Sequence, residues 1–343
     1  MAAGTLTSNA QGSLTLADWA KRLDPDGKTP KIVELLQQTN EVLSDMAWME
    51  GNLPTGHRTT VRTGIPSVAW RKLNYGVPQG KSMVAQVDDT CGMLEAWATV
   101  DQDLAMLNGN TEEFRLSEAL AFIEAMNQTM ADTLFHGDTD KDPEKFLGLA
   151  PRFTKHTLAN NPSARNVITA GGTTNLTDIW LVVWGPNTVH GIYPKGSPAG
   201  LTHTNRGIET ILDGASQPYL GYRDRYQWKC GLCVRDWRYV VRISNIDTAS
   251  AVLGAGAGTQ LSTAATWVPN LMIKALALVP SLSMGTPVFY MNRTMKTYLQ
   301  IMAFQKSLTA VRTDSATGQW TTSFEGVPIR LVDKITNAET ATT

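Results

Sequence analysis

At 343 residues, with 42% hydrophobic and 18% charged side chains, the chain is long enough for one large domain or two to three ordinary ones. It has the apolar content for a packed core, which excludes a disordered protein. Lys+Arg 30 against Asp+Glu 31 leaves a formal charge of −1, so the whole-chain field of a DNA reader is excluded and any nucleic-acid contact is local.

Cys91, Cys230 and Cys233 are too few for a disulfide framework. The N-terminus has neither a basic nor an apolar leader region, and no run approaches ~18 apolar residues. Synthesis in the cytoplasm, with no membrane, is the expectation. Residues 1–50 read as an arm with two helices. Leu16, Trp19, Ala20 and Leu23 recur at helical spacing until Asp24-Pro25-Asp26-Gly27 stops them. A second helix starts with Thr29 as N-cap and Pro30 at N1, and carries Ile32, Leu35, Leu36, Val42, Leu43 and Met46 toward Gly51.

Residues 58–63 and 67–73 form a β-rich run broken by Gly64 and Pro66. It turns through Asn74-Tyr75-Gly76-Val77-Pro78-Gln79-Gly80 and returns from Ser82 toward Val100. A two-stranded ribbon is marginal alone, and its edges invite other chains. Val61, Ile65, Val68, Trp70, Leu73, Tyr75 and Met83 therefore pack either on this protein's own sheet or on a neighbour.

Residues 111–136 carry the strongest helical pattern, with Phe114 and then Leu116, Leu120, Ile123, Met126, Met130 and Leu134 three and four apart, and Gly137 at C′. About 26 residues span about 39 Å. Strands follow at 178–184 and 189–193, and a longer strand pair at 222–243. There Tyr222, Tyr226, Trp228 and Cys230 alternate with Arg223, Arg225, Gln227 and Lys229, the pattern of a sheet with one wet face. A Gly-rich stretch, 248–263, precedes a final section of helix (266–279), strand (286–291), a helix capped by Asn292, and strands at 320–324 and 326–333. A loose tail starts at residue 337.

Chemistry is sparse. Cys230-Gly231-Leu232-Cys233 has C-x-x-C spacing, but zinc needs four ligands and no second pair follows. A redox dithiol opens a helix, whereas this one lies in a strand-like run. Two buried structural thiols is the reading; a thiol or metal enzyme using Cys230 and Cys233 is the alternative. Asp138 to Asp142 begin like an EF-hand loop, yet Pro143 and Leu149 stand where Gly and Glu are needed, leaving a solvated acidic turn.

The five histidines are scattered, with no H-E-x-x-H pair and no G-x-S-x-G elbow. No catalytic residue, cofactor or metal site is assigned. Arg223, Arg225, Lys229 and Arg235, interleaved with aromatic residues, resemble a nucleic-acid-binding surface. Asp224 and Asp236 dilute them, and a solvated or inter-subunit sheet face is the alternative.

Thr286-Pro287-Val288-Phe289-Tyr290-Met291-Asn292 leading into a helix, then Phe324-Glu325-Gly326-Val327-Pro328-Ile329 with Asp333 close behind, resembles the strand, Met-Asn, helix, F-x-G-x-P order of tailed-phage major capsid proteins. Leu16-Ala17-Asp18-Trp19-Ala20-Lys21-Arg22, Glu50-Gly51-Asn52-Leu53-Pro54-Thr55-Gly56-His57-Arg58 and Phe146-Leu147-Gly148-Leu149-Ala150-Pro151-Arg152-Phe153 are similar to stretches of the same proteins. The resemblance covers most of the chain.

It implies an α+β fold of the Hong Kong 97 type. Residues 1–50 are then an N-terminal arm, 51–100 an extended loop, 101–250 a peripheral domain with 111–136 as its spine helix, 251–335 an axial domain and 336–343 a tail. A permuted strand order is implied too, because the strands at 180–243 precede the Met-Asn helix. The implied function is a structural subunit that forms hexamers and pentamers of an icosahedral shell around phage double-stranded DNA, assembled in the host cytoplasm, its extended loop lying on a neighbouring subunit. A separate scaffolding protein, a portal and a decoration protein are the implied partners. An encapsulin-like nanocompartment shell is the alternative.

Overall fold

The computed structural model describes residues 38, 40–107, 111–157, 162–213, 215–248, 268–306, 311–314 and 321–342. The first arm helix, most of the second and the Gly-rich stretch from 249 onward lie outside them. In chain order come α1 (Val42–Asp45), β1 (Trp48–Glu50), β2 (Gly56–Gly64), β3 (Met83–Asp101), α2 (Gln102–Met106) and α3 (Thr111–His136). The middle of the chain supplies β4 (Val167–Thr169), β5 (Leu176–Trp184), β6 (Val189–Tyr193), β7 (Leu201–Leu212), β8 (Pro218–Val234) and β9 (Val240–Asp247). The last part supplies α4 (Val268–Leu278), β10 (Thr286–Met291), α5 (Arg293–Lys306), β11 (Val311–Asp314), β12 (Thr321–Phe324) and β13 (Val327–Leu331).

Contacts divide the chain into two units. The larger contains residues 39–92, 131–199 and 230–343. Every residue of β5 is buried, as a continuous apolar run requires when both faces of a strand are covered. β10 lies antiparallel to β5 with Phe289 opposite Leu181, and β13 lies parallel to β10 with Phe289 opposite Ile329. On its other edge β5 meets β9, which pairs in turn with β4. Leu271, Met272 and Ala275 of α4 and Met295 and Leu299 of α5 close over Leu181, Val241, Ile243 and Phe289 to make the core. Each of the larger side chains contributes about 1.5–3 kcal/mol when fully buried. Asn292 caps α5 as expected, its Oδ1 accepting from Met295 N at 2.9 Å.

Three expectations are corrected here. The strand pair at 222–243 is not a pair: β8 joins β6 and β7, whereas β9 joins β4 and β5. A 3₁₀ turn at Trp237–Tyr239, fixed by the Asp236 carboxylate accepting from Arg238 N at 3.1 Å, re-aims the chain between them. A boundary near residue 250 would separate β5 and β9 from β10 and β13, which share one sheet and one unit. The terminal tail is tied down: Glu339 N donates to Leu176 O at 2.9 Å, and Thr342 is buried with its N–H on Asn245 Oδ1 at 3.0 Å.

That tail carries a titratable contact. His136 Nε2 lies 2.9 Å from Glu339 and Nδ1 lies 3.2 Å from Asp132. Burial disfavours the imidazolium, but the two carboxylates outweigh it and hold His136 up at about 9 against an ordinary 6.5. A raised folded value means that this stabilisation is complete below about pH 6.5 and is lost as pH rises through about 9. The expected loss is on the order of 2–3 kcal/mol. Melting temperature measured against pH should fall over that window, and His136→Gln should flatten the fall.

The smaller unit contains residues 93–130 and 200–229, with Gln38. Here β7 and β8 form a long antiparallel hairpin from Leu201↔Trp228 to Leu212↔Pro218. A register shift lies between Asn205 and Ile208, where Gly207 takes φ +73°, a left-handed value natural to glycine. Ala119 and Met126 of α3 pack with Ala98 of β3 and Tyr226 of β8, and Phe114 packs with Val100 and Ala105.

Candidate assembly interface

The extended loop grows from a β2–β3 hairpin that holds its register from Gly56↔Thr90 to Arg62↔Val84 and then shifts by one residue before the last pair, Gly64↔Met83. The root is braced on both sides. Asn52 acts as a one-residue strand, its Oδ1 accepting from Arg58 N at 2.7 Å and its Nδ2 donating to Arg58 O at 2.8 Å. Arg58 in turn forks onto Asp88 across the hairpin at 2.5 and 2.6 Å. Gly231 lets β8 approach closely, since a Cβ there would stand 2.5 Å from Thr90 O.

Beyond Gly64 the ladder stops. Residues 65–82 contain no strand, which corrects the expectation of one at 67–73. Pro66 and Pro78 each remove an N–H from the segment, so a long ladder has no continuous set of donors. The chain still doubles back: Gly80 lies against Pro66 and Ser67, and the tip closes with Tyr75 N on Lys72 O at 3.2 Å and Asn74 at φ 64°. Nine residues on each arm allow a reach of at most roughly 30 Å. Val68, Trp70 and Leu73 are 92, 101 and 92% exposed, and Ile65, Tyr75 and Met83 are exposed as well. Val61 is half-buried at the root.

Sequence periodicity missed a second apolar surface. It put Phe114, Leu116, Leu120 and Ile123 on one face of α3, but Phe114, Met126 and Met130 are buried whereas Leu116, Leu120 and Ile123 are exposed. The signal was present in the i, i+4, i+7 spacing of those three residues, which makes a stripe of its own.

The basic stripe of β8 is largely neutralised within its own unit. Arg225 donates to Glu95 Oε2 at 2.6 Å, and the bond holds that carboxyl below its usual range. Arg223 stacks over Trp97 at 4.2 Å and lies 3.7 Å from Glu209. Trp97 Nε1 completes the cluster by donating to Glu95 Oε1 at 2.7 Å. Lys229 is half-buried, and Arg235, in the larger unit, is exposed and donates to Asn187 at 3.2 Å. Asp224 is buried between Arg115 at 2.8 Å and His203 at 3.0 Å.

Cys230 and Cys233 are both buried, and neither is in a disulfide. Three residues apart on a strand, they project to opposite faces and do not act as one dithiol. Burial pushes both thiols up, away from the thiolate a nucleophile needs. The Asp138 turn folds on itself, with Lys141 3.3 Å from Asp138 and Lys145 2.7 Å from Asp142.

A family model described as major capsid protein GP7 matches residues 24–343. The chain belongs to the GP7 major capsid protein family. A chain in the near-atomic structure of bacteriophage Epsilon15 is similar to this GP7-family chain at 31% identity, with a TM-score of 0.76 over 98% of this chain and 99% of that one. The SrpI encapsulin of Synechococcus elongatus PCC 7942 matches at 12% identity and TM-score 0.41 over 68% and 96%, and the capsid of a native GTA particle at 12% and 0.42 over 65% and 95%. No curated protein sequence matches. The GP7-family chain has the mixed α+β, Hong Kong 97-type capsid fold and is a structural protein of a phage capsid shell, located in the virion capsid and assembling with copies of itself. No described helix is long and apolar enough to cross a membrane.

Proposed function

We propose that residues 65–82 are the principal inter-subunit contact of this shell protein. The loop lies over a neighbouring copy, which covers Ile65, Val68, Trp70, Leu73 and Tyr75, with Val61 and Met83 at the hinge of the contact. The observation that carries the reading is the near-complete exposure of Val68, Trp70 and Leu73 on a segment with no ladder of its own, since apolar side chains on such a segment gain only by meeting another surface. The copies form hexamers and pentamers of an icosahedral shell around double-stranded DNA, assembled in the host cytoplasm. The smaller unit, with most of α3, takes the place of the peripheral domain, and the larger takes that of the axial domain. Residues 1–50 serve as the arm. Lys229 and Arg235 are the charges left for packaged DNA. A separate scaffolding protein, a portal and a decoration protein complete the proposed partners.

Trp70→Asp tests the contact with one side chain. Loss of about 1.5–3 kcal/mol of burial, plus a carboxylate placed in an apolar contact, should cut the fraction of protein in closed particles at least about tenfold. Thermal stability of the isolated subunit should be unchanged. Sedimentation and negative-stain microscopy read the outcome, and wild-type particle yield would remove Trp70 from the interface.

A further inference from the structure

Residues 57, 190 and 233 are far apart in sequence, yet the larger unit brings them together where the hairpin root meets β6 and β8. One ligand atom from each of His57, His190 and Cys233 lies within 4.8 Å of the others. His190 and Cys233 stand directly opposite each other on paired strands, and the His57 and His190 rings meet edge-on with centroids 5.8 Å apart.

His190 is 1% exposed, and among the described residues neither ring nitrogen has a hydrogen-bond partner of good geometry. Buried polar nitrogens left this way are costly and call for a partner. Only a weak contact with the Gly185 carbonyl is present, and a backbone carbonyl is a usual outer partner of a ligating histidine. His57 Nδ1 takes one long hydrogen bond, 3.3 Å from Asn52 N, which ligation through either ring nitrogen would release.

We propose that His57, His190 and Cys233 form a site for a divalent cation that takes nitrogen and sulfur ligands, zinc being the chemical type, with water or Asp89 in the fourth position. Two imidazoles and a thiolate are the donor set such a cation prefers. With bonds of 2.0–2.3 Å, tetrahedral donors lie roughly 3.3–3.7 Å apart, so the three groups close by about an ångström on binding. The cation deprotonates Cys233, and that proton leaves to solvent. Asp89, which Arg152 holds at 2.7 Å and which acts on the Cys233 thiol, balances the remaining positive charge. The result is a clip fastening β2, the root of the extended loop, to two strands of the sheet.

Co²⁺ titration of the full-length, chelator-treated chain in reducing buffer tests the site. The expected result is one Co²⁺ per subunit, thiolate-to-cobalt charge-transfer absorption, and a melting temperature that rises with Co²⁺. Cys233→Ser should abolish the absorption. His57→Gln should weaken binding by more than the about 10–100-fold that loss of an outer partner costs. A Cys91→Ser, Cys230→Ser double variant, which leaves Cys233 as the sole thiol, should keep the full signal even if Cys233→Ser fails to fold. Absence of stoichiometric Co²⁺ binding by the unmutated chain, or loss of the absorption in the double variant, would overturn the proposal. Binding is read on subunits whether or not they form shells, so its failure leaves the loop contact standing.

Discussion

Replacing residues 67–82 with a short Gly-Ser bridge should leave a soluble, folded subunit that no longer closes shells. The segment supplies no strand to the sheet, and the ladder that fixes the hairpin, Gly56↔Thr90 to Gly64↔Met83, lies outside the replacement. Surface changes of this kind ordinarily cost within about 0.5 kcal/mol of monomer stability. Assembly loses far more. Val68, Trp70 and Leu73, almost fully exposed in the subunit, would each contribute about 1.5–3 kcal/mol if a neighbour buried them. Part of that sum is offset by ordering the loop, but the remainder recurs at every copy of a closed shell. Differential scanning fluorimetry should show an unchanged melting temperature while electron microscopy shows no particles. Normal particles from the shortened chain would end the loop's assignment as the assembly contact.

Arg242→Ala should be among the most destabilising single changes in the larger unit. The guanidinium, 4% exposed, lies between Asp178, reached by Nε at 2.9 Å and Nη2 at 2.5 Å, and the Phe153 carbonyl, reached by Nη1 at 2.8 Å. It also stacks 5.1 Å from the centre of the Trp180 ring. Burial already pushes Asp178 up to about 6 despite this partner, and its Oδ1 has no hydrogen bond among the described residues. Removing the arginine would strand a carboxylate and a carbonyl in the interior, at a cost of about 3–5 kcal/mol. An Asp178→Leu, Arg242→Met double variant removes both charges and should recover much of the loss, because paired buried ions gain little over well-packed apolar groups. Urea unfolding midpoints measure both. A cost below about 1 kcal/mol for Arg242→Ala would show that the pair does not hold the core.

The elements legible in the sequence were those whose own residues decide them. The expected span of α3 is the observed one, and so are those of β6 and β10, because apolar spacing and a clean stop at Gly137 or Asn292 define them locally. Elements decided by their neighbours were misread. Val68, Trp70 and Leu73 have strand-forming side chains but no strand to pair with among the described residues. β7 escaped notice because Thr202, His203, Thr204, Asn205 and Arg206 show no apolar alternation; its partner β8 makes it a strand. Cys230 and Cys233 looked like one motif because sequence spacing does not record that a strand sends them to opposite faces. The residues of the loop left its partner open between the protein's own sheet and a neighbour, and only the family resemblance pointed to a neighbour, because composition does not record what covers an apolar side chain. The pairing of Arg225 with Glu95 was not, because 130 residues separate the two.

A stretch of backbone with no ladder has no register to lose. Between Gly64 and Met83 the chain can flex or twist by spreading small torsions over many residues, whereas bending a paired strand breaks hydrogen bonds in a row. One sequence can therefore meet a flat neighbour at one position and an inclined one at another, with the adjustment confined to residues 65–82 while the root at Arg58 and Asp88 keeps its geometry. On the proposed loop contact, chemically identical copies would tolerate unequal surroundings, with curvature in the assembled surface absorbed by loop torsions and not by the core.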